Sequence, residues 1–132
     1  MDDKVREFLE HNHAAVMTTI KKDGGPHVAR MDVGLVQGKL WSSGTQTRIR
    51  TKHVRRDPRA ALTVLDFSQP YRWLGLECKV TILEGPDAPE LNLELYRTIA
   101  KEPDDVDEYL EAMVQEQRLI YEFEIVKSYG MH

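Results

Sequence analysis

The sequence has little cysteine and no long apolar run, and both absences exclude classes of protein. A single cysteine among 132 residues rules out an intramolecular disulfide and leaves a cysteine-based zinc site without ligands. No apolar stretch approaches the length of a membrane span, and the first residues are charged where a secretory signal would be basic and then apolar. These features predict a cytoplasmic protein with no membrane span.

Motifs of several common enzyme classes are also missing. There is no Gly-x-Gly-x-x-Gly, no P-loop and no nucleophile elbow, so the usual dinucleotide, nucleotide and hydrolase signatures are excluded. His11 and His13 would diverge on a helix, and no other group of metal-binding residue types has suitable spacing. The sequence therefore predicts no metal site.

The length and composition predict one globular domain that covers residues 1–132. Hydrophobic residues make up 41% of the chain, which is typical of a protein with one packed core. Helices are predicted at the N-terminus, where Val5, Phe8 and Leu9 share one face, and at 89–102 and 104–117. Strands are predicted where β-branched and apolar residues lie between turn sequences, at 14–20, 27–36, 40–44, 59–67, 73–85 and 118–130.

Six antiparallel strands with few helices predict a mainly β, α+β fold in which the sheet closes or nearly closes into a barrel. Closure removes the exposed edges that an open sheet must otherwise protect. A barrel of this size has little interior volume, so a large cofactor would lie on its outer wall in a groove that another subunit completes. The sequence therefore predicts a homodimer.

Residues 47–59, TRIRTKHVRRDPR, form a basic segment in a chain whose net charge is -4. The segment has six cationic side chains and one Asp, whereas residues 104–116 have six acids and no base. Arg48 and Arg50 approach the start of a short helix that Thr51 is expected to cap, and Ser43 precedes them on a strand. Hydroxyls, backbone N–H groups and guanidinium groups together at the start of a helix predict a phosphate site.

Two other interpretations of the basic segment remain open from the sequence. It could be a solvated charged surface, in which Arg55, Arg56 and Arg59 pair with Asp57, Asp66 or the acids of the helical hairpin. It could instead bind nucleic acid, although the net negative charge and the lack of a broad basic stripe disfavour that interpretation.

The longer pattern around this segment resembles a known family. The pattern SxxxxRxRTKxxRRDPRAAL follows a GGPHV strand, and ELYRTIAKEPDDVDEYLEAMVQEQRLIYEFEI and SYGM come later. Together they resemble the flavin and deazaflavin oxidoreductases of the split β-barrel fold, which are relatives of pyridoxamine 5'-phosphate oxidase. The sequence is most similar to the actinobacterial B-type branch, whose members use the deazaflavin coenzyme F-420. The resemblance covers nearly the whole chain.

The resemblance implies a six-stranded split β-barrel of the FMN-binding type, with two cofactor grooves at the interface of a homodimer. It places the cofactor phosphate against Arg48 and Arg50, with Ser43 and Thr51 nearby and Lys52 reaching the cofactor tail. Most relatives have a lysine at the position of Arg50. The change keeps the charge and adds a planar guanidinium, so phosphate binding is expected to survive.

The resemblance also assigns residues to the ring system and to the substrate. Arg30 and Met31 match the strand along which the ring lies, and Tyr71 and Trp73 match an aromatic pair on the substrate side. Two aromatic residues spaced two apart on a strand share a face, and such a pair is more often part of a core.

The expected activity is hydride transfer from reduced coenzyme F-420 to an unsaturated or quinone-like small molecule. This chemistry needs no side-chain catalyst, because the cofactor carries the reactive atom. An FMN-binding split-barrel protein, acting as an oxidase or as a cofactor carrier, is the alternative within the same fold.

Overall fold

The computed structural model describes all 132 residues as four helices and seven strands. The helices are α1 (Asp3–His11), α2 (Ile49–Arg56), α3 (Ala88–Ile99) and α4 (Val106–Gln115). The strands are β1 (Ala14–Ile20), β2 (Pro26–Asp32), β3 (Gly34–Val36), β4 (Lys39–Thr45), β5 (Arg59–Leu65), β6 (Trp73–Leu83) and β7 (Arg118–Met131). No helix combines the length and the apolar composition that crossing a membrane requires.

All the strands belong to one antiparallel sheet with the order β2-β1-β5-β6-β7-β4-β3. The two outermost strands, β2 and β3, are separated in the chain by Val33 alone, so the sheet must curl until its edges meet. Hydrogen bonds hold this junction: Val33 N donates to His13 O at 2.8 Å and Ser42 Oγ donates to Asp32 O at 2.6 Å. The predicted α+β split β-barrel is confirmed.

The strand count is seven, and the prediction of six was wrong because the predicted strand 27–36 is two strands. Residues before Val33 pair with β1, and residues after it pair with β4. Gly34 lies directly under α3, where an added Cβ would come within 2.5 Å of Ile99 Cγ2 and 3.4 Å of Leu95 Cδ1. The apolar pattern runs through Val33 unbroken, so it does not reveal the change of partner strand.

The interior of the curled sheet is the main hydrophobic core. Strand side chains that alternate inward form most of it, and α1 closes one side with Val5, Phe8 and Leu9. The α1 helix begins at this position because the Asp2 side chain accepts a hydrogen bond from Val5 N at 2.9 Å.

A second, smaller core lies outside the barrel, where α3 packs on the outer face of β3, β4 and β7. Its buried residues are Val36, Trp41, Leu95 and Ile120. The α4 helix packs against α3, and the Tyr109 hydroxyl donates to Asn92 O at 3.2 Å. This hairpin carries the end of α4 and the start of β7 to the neighbourhood of α2.

We predict that Gly34→Ala lowers the free energy of unfolding by about 1–3 kcal/mol, because the new methyl group meets packed side chains of α3. Gly25→Ala is the matched control, since its nearest neighbours are flexible side-chain atoms of Asp23 and Lys21 at 3.1 Å. Chemical denaturation of the two variants measures the difference. Equal stability of both variants would show that α3 does not press on this glycine.

Candidate anion-binding site

A depression of about 790 Å³ opens on the surface where β2, the start of α2 and the turn between α4 and β7 meet. This volume is within the usual range for small-molecule sites. The lining includes Thr47, Arg48 and Arg50 from the basic segment and Arg118 from the start of β7. No group of three or more histidine, cysteine or acidic side chains is arranged to hold a metal ion.

The β4–α2 connection positions the arginines of the depression. The Thr51 side chain is fully buried, and its hydroxyl donates to Thr45 O at 2.6 Å and also hydrogen-bonds the Tyr121 hydroxyl. The expectation that Thr51 caps the helix was wrong: Arg48, with an extended backbone at φ -65° and ψ 142°, is the N-cap, and Thr51 is the third helical residue. The Thr51 hydroxyl therefore holds α2 against β4 and β7.

The six cations of the basic segment fall into two groups. Arg55 pairs with Glu84 at 2.9 Å, Arg59 pairs with Asp57 at 2.8 Å, and Arg56 donates to a backbone carbonyl at 2.5 Å. Arg48, Arg50 and Lys52 form no ion pair. No carboxylate of the chain neutralises the positive charge of this second group by direct pairing.

Hydrogen bonds from the paired arginines lower the pKa of their two carboxylate partners. The hydrogen bond from Arg55 lowers the pKa of Glu84 to about 2, and the hydrogen bond from Arg59 lowers the pKa of Asp57 to about 2. The acids expected to pair with these arginines were Asp57, Asp66 or those of the hairpin. Asp57 is such a partner, whereas Asp66 pairs with Arg72, and the partner of Arg55 is Glu84, which directly follows β6.

Arg50 is the least solvated of the unpaired cations. Its guanidinium carbon lies 5.9 Å from the centroid of the Tyr121 ring, and its Nε is buried without a hydrogen-bond partner. Burial lowers the pKa of Arg50, the Tyr121 hydroxyl opposes this shift, and the neighbouring positive charge of Arg48 adds to it. Arginine nevertheless stays charged at neutral pH. A partly buried cation with an unsatisfied donor is stabilised by an anion.

The polar groups of the depression fit a phosphate group. Arg48 and Arg50 offer guanidinium N–H groups that no carboxylate occupies, and Arg118 adds a third guanidinium, which is bonded to Glu116 at 2.9 Å. The Thr45 and Thr47 hydroxyls lie 3.2 Å apart beside them. Planar guanidinium groups match the oxygen spacing of phosphate.

Besides Thr51, three of the residues expected at the cofactor have side chains that are engaged elsewhere in the protein. The Ser43 hydroxyl donates to Asn92 Oδ1 at 2.5 Å, on the outer face of β4 beneath α3. Arg30 donates to Asp32 Oδ1 at 3.1 Å and to the carbonyl of Met31. Met31 is buried in the barrel core and faces the opposite side of β2 from Arg30. Lys52, in contrast, is exposed on α2 with no partner.

The aromatic residues expected on the substrate side lie far from the depression within one chain. Trp73 begins β6 opposite Met131, and its ring packs edge-to-face on Tyr129 with centroids 6.0 Å apart. Arg118 is at the other end of β7, so up to about 40 Å of strand separates the two ends. Tyr71 lies in the turn before β6 and is 80% exposed, so the expectation that it shares a strand face with Trp73 was wrong.

Sequence reasoning missed two parts of the site. Tyr121, on which Arg50 stacks, alternates with polar residues on β7 and reads as an ordinary core residue. Residues 115–118 enter the depression because Gln117, with φ 54°, turns the chain from α4 into β7. Neither part carries a local signal, since both depend on pairing between β4 and β7.

Comparison with known proteins identifies the family. A family model described as pyridoxamine 5'-phosphate oxidase matches residues 1–131. The chain belongs to the pyridoxamine 5'-phosphate oxidase family. This family, which includes oxidoreductases, shares the split β-barrel fold, and the resemblance to the split β-barrel superfamily is confirmed.

Solved structures share the fold of this family member at low sequence identity. A conserved hypothetical protein from Mycobacterium tuberculosis aligns over 97% of this chain and 82% of its own, with a TM-score of 0.80 and 18% identity. An F420 reductase aligns over 98% of both chains, with a TM-score of 0.74 and 21% identity. General stress protein 26 from Bacillus anthracis covers 98% of this chain and 92% of its own, with a TM-score of 0.69 and 11% identity.

We predict that Thr51→Val lowers the free energy of unfolding by about 1–3 kcal/mol, because the buried Tyr121 hydroxyl and the Thr45 carbonyl each lose a partner. Thr47→Val is the control, since Thr47 is exposed in the depression and its hydroxyl contacts only Thr45. Urea denaturation of both variants measures the cost. A Thr51 variant as stable as the Thr47 variant would contradict the structural role assigned to this hydroxyl.

Proposed function

We propose that the protein is an oxidoreductase that binds coenzyme F-420 and transfers hydride from the reduced cofactor to an unsaturated or quinone-like small molecule. The observation that carries the proposal is the unpaired cationic group of Arg48, Arg50 and Lys52 beside a depression of about 790 Å³, in a family that includes oxidoreductases. The F420 reductase among the structures that share the fold supports this choice of cofactor.

The proposed work of the chain is to hold the cofactor and to exclude competing reactions. A bound reduced deazaflavin supplies hydride and is a poor partner for oxygen and for one-electron chemistry. Arg48 and Arg50 would bind its phosphate, Lys52 would contact the tail, and the β2 backbone at Arg30 and Met31 would hold the ring. No side chain of the protein is required to donate the hydride.

Ser43 and Thr51 act on this site through the backbone. The Thr51 hydroxyl ties the start of α2 to β4, and the Ser43 hydroxyl ties β4 to α3. Both bonds hold the segment that carries Arg48 and Arg50. Ser43 and Thr51 therefore support phosphate binding by fixing the positions of the two arginines.

A homodimer would bring the two ends of the barrel into one groove. Within one chain, Arg48 and Arg50 lie beside the start of β7, whereas Trp73 on β6 lies beside its end. A site that contains both the arginines and Trp73 therefore takes them from two subunits. The outward side chains of β1 and β5 suit a close contact, because they are small or apolar: Val16, Thr18, Ala61, Thr63 and Leu65. Tyr71 and Trp73 then line the substrate side of the groove.

We predict that the protein sediments as a dimer at micromolar concentration and that Ala61→Arg shifts it towards the monomer, because the bulky charge would be buried at the contact. Glu10→Arg, on the exposed face of α1, is the control and leaves the dimer intact. Analytical ultracentrifugation measures the mass, and a fluorescence titration measures cofactor binding. A monomer that binds the cofactor with undiminished affinity would remove the shared-groove proposal.

We predict that Arg48→Ala and Arg50→Ala each weaken F-420 binding by about 1.5–3 kcal/mol, the usual contribution of a hydrogen bond to a charged group. Arg55→Ala and Arg56→Ala are matched controls from the same helix whose partners are Glu84 and the Ile20 carbonyl. These controls change binding little, and Arg48→Ala leaves the stability of the cofactor-free protein nearly unchanged. Equal F-420 affinity of all four variants would contradict the assignment of Arg48 and Arg50 to the phosphate.

FMN is the second candidate cofactor, because the matching family model is that of pyridoxamine 5'-phosphate oxidase. It would use the same arginines for its phosphate, with the protein acting as an oxidase or as a cofactor carrier. Parallel fluorescence titrations with F-420, FMN and phosphate-free riboflavin discriminate the two. Equal affinity for riboflavin and FMN would contradict a phosphate site of either kind.

The charge distribution favours a small anion over a nucleic acid. Arg55 and Arg59 are neutralised by Glu84 and Asp57, so the free cations form a compact group and not an extended stripe. A compact group of this kind suits one phosphorylated small molecule.

A further inference from the structure

His27 belongs to the depression but has no role in the function proposed above. Strand alternation turns His27, Ala29 and Met31 towards the inside of the barrel, and at the open end of β2 His27 lines the depression together with Arg48 and Arg50. His27 is not prominent in the sequence, because a single histidine near a turn is usually a surface residue.

A second histidine and a threonine hold the His27 ring. Thr19, the cross-strand neighbour of His27 on β1, hydrogen-bonds His53 Nδ1 at 2.8 Å. His53 is buried on α2, and its ring packs edge-to-face on His27 with centroids 5.2 Å apart and an interplanar angle of 78°. The imidazole of His27 is therefore fixed by packing at the wall of the depression.

The two nitrogens of His27 differ in their surroundings. Nδ1 is buried without a hydrogen-bond partner, whereas Nε2 makes no bond within the chain and is open to solvent. Arg50, in the same depression, also has a buried nitrogen without a partner. Buried polar groups are almost always satisfied, so the unpaired Arg50 nitrogen points to a ligand with acceptor oxygens, and the unbonded Nε2 of His27 belongs to the same depression.

We propose that His27 is a further ligand of the anion bound at Arg48 and Arg50, donating a hydrogen bond from Nε2, and that its protonation strengthens anion binding. The proposal rests on the function proposed above, since it needs an anionic cofactor group at the arginines. His53 and Thr19 are positioning residues in this arrangement.

The charged groups around His27 determine the sign of the pH effect. Arg48 and Arg50 at the start of α2 and Arg118 of β7, with its partner Glu116, line the same depression as His27. His53 packs on the His27 ring, and Lys21 and Arg56 lie beyond it, beside His53. These charges are mostly positive, and an anion bound beside them would favour a positively charged imidazole. Binding therefore takes up a proton, and by linkage the affinity for the anion rises as the pH falls.

His53 is less suited to take up this proton. Burial lowers the pKa of His53, and the neighbouring charges of His27, Arg56 and Lys21 add to the shift. His53 is therefore harder to protonate than an exposed histidine, and its Nδ1 is already hydrogen-bonded to Thr19.

The test uses sulfate as the probe, because its own charge does not change near neutral pH. Calorimetric titration of the whole protein is expected to show an affinity gain of about tenfold between about pH 8 and about pH 5.5, with proton uptake detected by comparing buffers of different ionisation heat. His27→Gln keeps a neutral donor and loses the pH dependence, and His27→Phe also weakens binding at high pH. His11→Gln, on exposed α1, is the matched control and behaves like the unaltered protein.

The outcomes separate this proposal from the proposed function. If Arg48→Ala abolishes sulfate binding but His27→Gln keeps the full pH dependence, the anion site stands and the role of His27 is wrong. If His53→Gln alone removes the pH dependence, His53 is the responding group and the proposal is overturned. If sulfate binding is insensitive to both Arg48 and His27, the anion site and the role of His27 fail together.

Discussion

The candidate site depends on one buried hydroxyl. Thr51 bonds the last carbonyl of β4 and the Tyr121 hydroxyl of β7, so a single side chain joins a strand, a helix and a distant strand. Tyr121 can occupy this place only because Gly44, its close neighbour on β4, has no side chain. The ring of Tyr121 then supports the Arg50 guanidinium. The position of the free cations follows from this buried contact and not from the charges themselves.

The basic segment combines two electrostatic roles that its composition does not separate. One turn of α2 separates Arg55, which is bonded to Glu84, from Lys52, which has no partner. Arg55 and Arg59 lie beside carboxylates that bond them, whereas Arg48 and Arg50 lie beside hydroxyls and an aromatic ring, and the nearby Glu116 is bonded to Arg118. The local field is therefore positive at the depression even though the whole chain carries a net charge of -4.

Much of the architecture was predictable from local patterns. The α1 helix followed from the spacing of Val5, Phe8 and Leu9, and most strands followed from alternation, because both signals depend on residues close in the chain. The break at Val33 was not predictable, since it marks a change of partner strand within a continuous apolar run.

The site was predictable only in part, for the same reason. Arg48 and Arg50 stood out through charge and spacing, and the structure leaves both without a carboxylate partner. The engagement of the Ser43 and Thr51 hydroxyls depends on Asn92 and Tyr121, which are far away in the sequence. A hydroxyl beside a cationic group looks like a ligand until its partner within the fold is known.

The pairing of β4 with β7 also bears on how the protein folds. Trp41 and Glu122, which face each other in this pair, are 81 positions apart in the sequence, so the contact closes a very long loop. Contacts of this range form slowly compared with hairpins such as β1–β2. The depression needs both sides of this pair, so it forms only once β4 and β7 have paired. Its ligand can recognise only chains in which the barrel has already closed.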